Sequence, residues 1–180
     1  MTRCRWAGTD PQYLTYHDEE WGRPLRGDDA LFGMLALEGF QAGLSWLTIL
    51  RKREAFQAAF AGFRIDEVAA FGEEDVERLI GDAGIVRNRA KIEATIGNAR
   101  AAQELGRGAL TDLLWSHAPP RRKGRPDSFA EIPAHTPESN ALSKELKACG
   151  FRFVGPTIVY AFMQSVGMVD DHLAGCDIRV

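Results

Sequence analysis

The stretch LIGDAGIVRNR, residues 79–89, predicts two helices joined by a tight turn that contains glycine. In a helix-hairpin-helix of this kind, amide N–H groups at the turn near Gly84 and at the start of the second helix face outward and favour an anion such as a DNA phosphate. Arg87, Arg89 and Lys91 add positive charge to this surface, although Arg87 replaces the second glycine usual in the motif. An ordinary corner between two helices is equally compatible with the spacing.

Outward from this hairpin, apolar residues recur at intervals of three and four, and no proline occurs from Asp28 to Trp115. Strand signals are nearly absent, so the predicted fold class is all-α. The predicted helices are Asp28–Gln41, Ser45–Phe60, Asp66–Phe71, Glu73–Ile80, Arg87–Leu105, Leu110–Trp115, Glu138–Ala148 and Pro156–Val166.

Helix starts and one long loop complete this pattern. Five prolines between His117 and Pro137 predict a loop inside the domain. Residues suited to the first positions of helices are Asp28 or Asp29, Ser45, Asp66, Ser139 and Pro156.

The composition indicates one domain, residues 1–180, with 45% hydrophobic residues to form a core. No signal segment or membrane-spanning stretch is expected, and three cysteines are too few for a disulfide framework, so we expect a soluble cytoplasmic monomer without a protein partner. The net charge of −3 is unfavourable for DNA binding. Basic clusters at 51–53, 87–91 and 121–125 offer local compensation, or are simply solvated faces.

Four possible metal ligands lie at the two ends of the chain. Cys4 and His17 are near its start, and His172 and Cys176, which share one face if that segment is helical, are near its finish. Two thiolates and two imidazoles suit one Zn²⁺ ion, and a full set of four ligands makes the site structural rather than catalytic. An accidental pairing of distant residues is the alternative. Cys149 is expected to be a core residue.

Glu38 interrupts a nearly uncharged stretch, residues 34–46. Its carboxylate either points to water or is buried for a purpose. Beside Tyr16 and Trp46 it would suit a flipped purine, because aromatic rings stack on a base and a carboxylate accepts hydrogen bonds from its exocyclic amine.

These residues together resemble 3-methyladenine DNA glycosylase I, the constitutive bacterial type, over nearly the whole chain. The segments that carry the resemblance are RCRW at 3–6, YHDEEWG at 16–22, LEGFQAGLSW at 37–46, DAGIVR at 82–87, FVGPTI at 153–158 and DH at 171–172. The resemblance implies a helix-hairpin-helix glycosylase fold, with the hairpin motif at about 73–105.

The resemblance also implies roles for individual residues. Cys4, His17, His172 and Cys176 would hold zinc between segments 1–20 and 170–180. Glu38 would be the catalytic residue and read the adenine edge, with Tyr16 and Trp46 lining the base pocket. The turn containing Gln41, Gly43 and Leu44 would probe the DNA stack. The matched segments contain three further aromatic residues, Trp6, Tyr13 and Trp21. These are equally compatible with a place in the hydrophobic core.

The implied activity is hydrolysis of the N-glycosidic bond of 3-methyladenine in alkylated double-stranded DNA, which releases the base and leaves an abasic site. No aspartate is placed for catalysis after the hairpin, and the family also lacks one. A cationic base departs as a neutral molecule, so the enzyme needs to supply less of the barrier. No lysine is placed as an amine nucleophile, so we expect no strand cleavage.

Three other functions are compatible with parts of this pattern. A zinc-stabilised DNA-binding module would need no acid in an aromatic pocket. A glycosylase for another lesion, with lyase activity, would form a Schiff base with DNA. A protein that binds small purines would be indifferent to duplex DNA.

Overall fold

The computed structural model describes all 180 residues and contains helices but no strands, which confirms the all-α prediction. Single turns of 3-10 helix lie at Arg5–Ala7, Ala61–Phe63 and Phe129–Glu131. The α-helices are α1 (Pro11–Glu19), α2 (Asp28–Gln41), α3 (Trp46–Ala59), α4 (Ile65–Ala69), α5 (Glu73–Gly81), α6 (Arg89–Leu105), α7 (Ala109–Ser116), α8 (Pro137–Ala148) and α9 (Pro156–Ser165).

Helix α1 is the element that the sequence analysis missed. The Asp10 side chain accepts hydrogen bonds from the amides of Gln12 and Tyr13, and Pro11 occupies the first helical position. This combination is a strong start signal. The helix is short and mainly polar, and its buried residues, Tyr16 and His17, belong to two different polar sites.

The helix starts differ from the expected capping residues at three places. Ser45 does cap α3, and Pro156 begins α9. Asp66 is already inside α4, and Ser139 lies at the third position of α8, where it pairs with the true cap, Thr136. Ser139 was therefore assigned three residues too late, because the preceding proline was taken for part of the loop.

Asp28 and Asp29 do not cap their own helix. The Asp28 carboxylate accepts hydrogen bonds from the amides of Gly108 and Thr111 at the start of α7, at 2.6 and 2.9 Å. The Asp29 carboxylate accepts one from the amide of Ile65 at the start of α4, at 2.9 Å. Adjacent carboxylates at the start of α2 therefore satisfy orphan amides of two other helices, a tertiary role that local sequence does not reveal.

Helix α2 lies at the centre of the fold and contacts α3, α4, α6, α7 and α9. Nine of its residues are buried, including Glu38. One hydrophobic core of 37 buried residues extends from Tyr16 to Met168, and Cys149 packs against it from a partly buried position. None of the helices has the length and apolar character needed to cross a membrane.

Candidate active site and metal cluster

A cavity of about 230 Å³ opens between α1, α2, α3 and α9. This volume is below the roughly 300–1,000 Å³ of pockets for drug-sized ligands, so the cavity suits a single flat ring system. Its walls are mainly aromatic and apolar. The lining residues are Trp6, Tyr13, Tyr16, Trp21, Glu38, Gln41, Trp46, Phe129, Ile132, Ala161 and Gln164.

Glu38 is the acidic residue of this cavity. Its side chain projects from α2 among aromatic rings and is 4% exposed. Burial raises the pKa of Glu38 to about 8, against a smaller lowering by the Ser165 hydroxyl. A carboxyl group with this pKa is mostly protonated at pH 7, and a cation in the cavity would favour its ionised form.

Tyr16 and Trp46 flank Glu38, so the structure brings together the three residues assigned to the base pocket. Their ring centroids are 5.4 Å apart, and the rings are tilted by 47°. Burial, followed by the Glu38 charge, raises the pKa of Tyr16 well above its ordinary value, so its hydroxyl remains a donor. The Trp46 Nε1 atom is buried without a hydrogen-bond partner. An unpaired donor in such a cavity indicates that a ligand completes it.

Other cavity residues were missed or taken for core in the sequence analysis. Trp6, Tyr13 and Trp21 form an aromatic wall, with the Trp6 ring centroid 5.1 Å from that of Tyr13 and 4.9 Å from that of Trp21. The long loop supplies Phe129 and Ile132, and α9 supplies Gln164. Gln164 gives only a weak local signal, as one of several polar residues on the mainly apolar helix α9.

A second buried polar cluster lies behind the aromatic wall. The candidate ligand atoms of Cys4, His17 and Cys176 lie within 4.8 Å of one another, and all three residues are buried. None of the cysteines forms a disulfide. Burial raises the pKa of Cys4 to about 11, whereas burial lowers the pKa of His17. The cluster thus brings neutral imidazole together with thiols that a metal would deprotonate.

His172 lies next to this group. Its ring centroid is 5.1 Å from that of His17, and its Nε2 atom is buried without a partner. The segment from His172 to Cys176 is a turn, not the helix that would place both residues on one face; the Cys176 amide donates to the Leu173 carbonyl at 2.9 Å. The turn nevertheless brings both side chains to the same cluster.

Carboxylates orient both imidazole rings. Nδ1 of His17 lies 2.8 Å from Asp18 Oδ1, and Arg3 holds Asp18 through three hydrogen bonds. Nδ1 of His172 lies 2.9 Å from Asp170 Oδ1, and Arg125 donates to the same carboxylate at 2.9 Å. Both histidines therefore turn Nε2 toward the cluster. Nε2 of His17 accepts a hydrogen bond from the Cys4 amide at 3.4 Å and lies 3.6 Å from Cys176 Sγ, whereas Nε2 of His172 has no partner. Carboxylates that orient imidazole rings in this way are common around metal sites.

The turn after α2 is held by a lysine from the hairpin motif. Gly43 adopts a φ of +83°, and Leu44 at the tip is 43% exposed. The buried Lys91 of α6 donates to the carbonyls of Phe40 and Ala42, at 2.9 and 2.7 Å. These are orphan carbonyls at the end of α2. Lys91 thus ties the hairpin helix to the turn instead of adding free charge to the hairpin surface.

The hairpin between α5 and α6 is closed by side chains. The Gly84 amide donates to Asp82 Oδ1 at 2.7 Å, so it does not face outward as expected. Glycine is required here by close approach, because a Cβ atom would lie 3.0 Å from that of Ala55. Lys52 donates to the carbonyls of Ala83 and Gly84. The hairpin amides that form no hydrogen bond in the protein are those of Ala83, Val86, Arg87, Arg89 and Ala90.

The two hairpin arginines differ in their partners. Arg87 is exposed and forms no hydrogen bond with its guanidinium group. Arg89 is bound by the carboxylates of Glu73 and Glu77. A DNA contact by Arg89 thus requires exchange of a carboxylate for a phosphate, whereas Arg87 is available directly. The contacts of Arg87 and Arg89 with DNA remain predictions.

Comparisons with known proteins agree with this geometry. A family model described as methyladenine glycosylase matches residues 6–180. DNA-3-methyladenine glycosylase 1 of Escherichia coli (strain K12) is 51% identical over 181 residues, covering 98% of this chain and 96% of that protein. A crystal structure of 3-methyladenine DNA glycosylase I has a TM-score of 0.94 at 47% identity, covering 99% of this chain and 100% of that one.

A further solved structure contains a ligand. It is a Y16F variant of 3-methyladenine DNA glycosylase I in complex with 3-methyladenine, with a TM-score of 0.90 at 37% identity, covering 100% of this chain and 98% of that one. The matched family model, the near-complete coverage and the identity above all lead to one assignment: this chain belongs to the methyladenine glycosylase family.

Proposed function

We propose that this chain excises 3-methyladenine from alkylated double-stranded DNA by hydrolysing the N-glycosidic bond, as a glycosylase of base excision repair. The observation that carries the proposal is Glu38, buried in an aromatic cavity whose size suits one purine. The names of the relatives, and the relative that was solved with 3-methyladenine, support the same substrate.

Recognition rests on charge and stacking. A flipped 3-methyladenine carries a positive charge, and the aromatic rings of the cavity favour a cation over their faces. The cation favours loss of the proton from Glu38, whose pKa burial raises to about 8. The resulting carboxylate accepts a hydrogen bond from the exocyclic amine. Normal adenine is neutral, so it gains none of this charge pairing.

Bond cleavage needs little further assistance. As the glycosidic bond breaks, its electron pair moves onto the base, which leaves as neutral 3-methyladenine, and positive charge develops on the sugar. A water molecule adds to the sugar carbon and loses a proton, which leaves the abasic site. The chain positions the base and excludes bulk water, and selection of the damaged base is its main task.

We also infer that excision is not followed by strand cleavage. A lyase needs a free amine at the sugar, and no lysine lines the cavity. The amines of Lys52 and Lys91 are bound to backbone carbonyls of the hairpin and of the turn after α2. Borohydride reduction of the protein with damaged DNA is therefore expected to give no trapped adduct.

We propose one structural Zn²⁺ ion at Cys4, His17, His172 and Cys176. The donor set fits, because three ligand atoms already cluster and the buried Nε2 of His172 lacks any other partner. The ion would cross-link the two end segments and take no part in the reaction. Metal analysis of the purified protein tests this, and a metal-free yet fully stable protein would remove the proposal.

For DNA contacts we propose the hairpin and the turn after α2. The unpaired hairpin amides and Arg87 suit a phosphate, while Gln41, Gly43 and Leu44 lie on the turn beside the cavity. Gly84 and Arg89 shape this surface.

We further propose that residues 1–180 act as one domain, which the single hydrophobic core supports, and that the protein is a monomer. We place it in the reducing cytoplasm, where the three free cysteines are stable.

The decisive experiment is incubation with methylated duplex DNA, followed by chromatography of the released bases. Free 3-methyladenine is expected, with the DNA strand intact until abasic sites are cleaved by alkali. Normal binding to alkylated DNA without release of any base would favour a non-catalytic DNA-binding module. Binding of free purines together with indifference to duplex DNA would favour a small-molecule protein.

A further inference from the structure

A chain of polar side chains leads from the base cavity into the protein. Gln164 lines the cavity from α9 and donates from Nε2 to Asp171 Oδ2 at 2.9 Å. Tyr160, one turn earlier on α9, donates its hydroxyl to the same oxygen at 2.6 Å. Arg122 of the long loop lies 3.3 Å from Asp171 Oδ1. Asp171 itself is 1% exposed, so this arrangement is built into the interior.

The chemistry of these partners fixes the orientation of the Gln164 amide. The Asp171 carboxylate lies beside the Arg122 guanidinium, and its Oδ2 atom accepts hydrogen bonds from both Gln164 and Tyr160. Burial and the bond to Asp171 raise the pKa of Tyr160, so its hydroxyl remains a donor. The amide of Gln164 must therefore turn its NH₂ end toward Asp171. Its carbonyl oxygen, Oε1, forms no hydrogen bond in the protein.

We propose that Gln164 determines which purine the cavity accepts. This inference rests on the proposed function and extends it. Oε1 of Gln164, held as an acceptor by Asp171, accepts one hydrogen of the exocyclic amine of an adenine-type base, while Glu38 accepts the other. A guanine-type base has a carbonyl oxygen at that position, which would face the Oε1 acceptor of Gln164. Asp171 and Arg122 are positioning residues, because they act through Gln164.

The expected preference for adenine-type over guanine-type bases can be derived from the cost of leaving polar groups unpaired. An acceptor that faces another acceptor in a closed site loses its hydrogen bond and is not resolvated. We therefore expect the Gln164 contact to favour adenine-type over guanine-type bases about 10- to 100-fold. Stacking and the cationic charge, which both methylated bases share, contribute little to this preference.

The sharpest test is Asp171→Asn, which keeps the shape but adds a donor. The new amide can donate to Oε1 of Gln164, so the Gln164 amide can rotate and present NH₂ to the cavity. Release of 3-methyladenine and 3-methylguanine from methylated A·T and G·C duplexes is measured separately. The ratio of the two kcat/KM values is expected to fall about 10- to 100-fold, with 3-methylguanine release gaining in relative terms.

Gln164→Met provides a second test if Asp171→Asn folds poorly. Methionine has a similar length but no strong acceptor, so 3-methyladenine release should fall about tenfold while 3-methylguanine release is unchanged or raised. Tyr160→Phe is the matched control: it removes a hydrogen bond to the same Asp171 oxygen, but leaves Gln164 and Asp171 paired. Its ratio should equal that of the parent protein, even if its stability is lower.

Equal losses of both activities in Asp171→Asn and Gln164→Met would overturn the proposal, because a purely structural role lowers both in proportion. Fluorescence titration with the free bases 3-methyladenine and 3-methylguanine gives a readout that is independent of bond cleavage. A variant-dependent ratio of the two Kd values would support the role of Gln164 even if the protein released no base, whereas an unchanged ratio would contradict it.

Discussion

Two buried polar clusters share one aromatic wall, and they differ in what completes them. In the metal cluster each histidine is oriented by a carboxylate, and each carboxylate is held by an arginine. In the base cavity, Glu38 and the Trp46 indole have no such partner from the protein, apart from the Ser165 hydroxyl near Glu38. The polar groups of the first cluster are therefore fixed by the protein, as the proposed structural ion requires, and those of the second are left available to a ligand.

The largest expected effect comes from the metal cluster. Cys176→Ser is expected to lower the free energy of unfolding by about 4–5 kcal/mol, because it would remove a ligand from the proposed ion between segments 1–20 and 170–180. Thermal unfolding with metal analysis measures this. Cys149→Ser, at a partly buried thiol outside the cluster, is the control. Equal stability of the two variants would contradict a structural metal.

In the base cavity, substitution of Glu38 is expected to lower activity and to raise stability, whereas substitution in the metal cluster lowers stability. Glu38→Gln should reduce kcat/KM for 3-methyladenine release about 100-fold, since the neutral amide cannot pair with a cationic base. It should also raise stability at pH 7 by up to about 3 kcal/mol, because it removes a carboxyl whose ionisation the fold opposes. Glu19→Gln, on the exposed side of α1, should change neither. Undiminished base release by Glu38→Gln would remove Glu38 from the mechanism.

The dependence of stability and activity on pH is expected to follow the protonation of Glu38 in the base cavity. The pKa of Glu38 is raised from 4.5 to about 8, so the folded protein holds this proton more tightly than the unfolded chain. The associated stability is present below pH 4.5 and is lost as the pH rises through 8. Activity should move the other way: kcat/KM rises about tenfold per pH unit below 8 and then levels off.

The profile of Glu38→Gln should be flat over the same range, which assigns the slope to this carboxyl. A parent protein without any rise between pH 6 and 8, or a variant that keeps the parent's slope, would show that another group controls binding.

A smaller effect is expected where the hairpin meets the turn after α2. Lys91→Met leaves the carbonyls of Phe40 and Ala42 unpaired, which should cost about 2 kcal/mol of stability. Excision from duplex DNA should fall more than affinity for the free base, because the turn carrying Leu44 loses its anchor. Lys144→Met, on the exposed face of α8, is the control. An equal decrease in both readouts would contradict a role specific to the turn.

Much of the fold could be predicted from the sequence because it depends on local signals. Helical periodicity located eight of the nine α-helices, with ends within two residues of the observed bounds. The missed helix, α1, carries residues for two polar sites, so its apolar pattern is weak. The roles of Asp28 and Asp29 could not be predicted, since their partners lie 36 and about 80 residues away along the chain.

Fewer residues of the base cavity than of the fold could be predicted from the sequence. Glu38, Tyr16 and Trp46 could be grouped through family resemblance, and the structure places all three in one cavity. Gln164 and Phe129 could not, because their roles depend on α9 and the long loop meeting at the cavity mouth. The same holds for Lys91, whose charge looked available in the sequence but is bound to two carbonyls in the fold.

The aromatic wall has a practical consequence for experiments in solution. Trp6, Trp21 and Trp46 all line the cavity, and only one tryptophan of the four, Trp115, lies elsewhere, where it donates to the Leu25 carbonyl and stacks under Arg26. Intrinsic emission from this protein therefore originates mostly beside the ligand site. The molecule carries its own optical reporter, and occupancy of the cavity can be followed without attaching a dye.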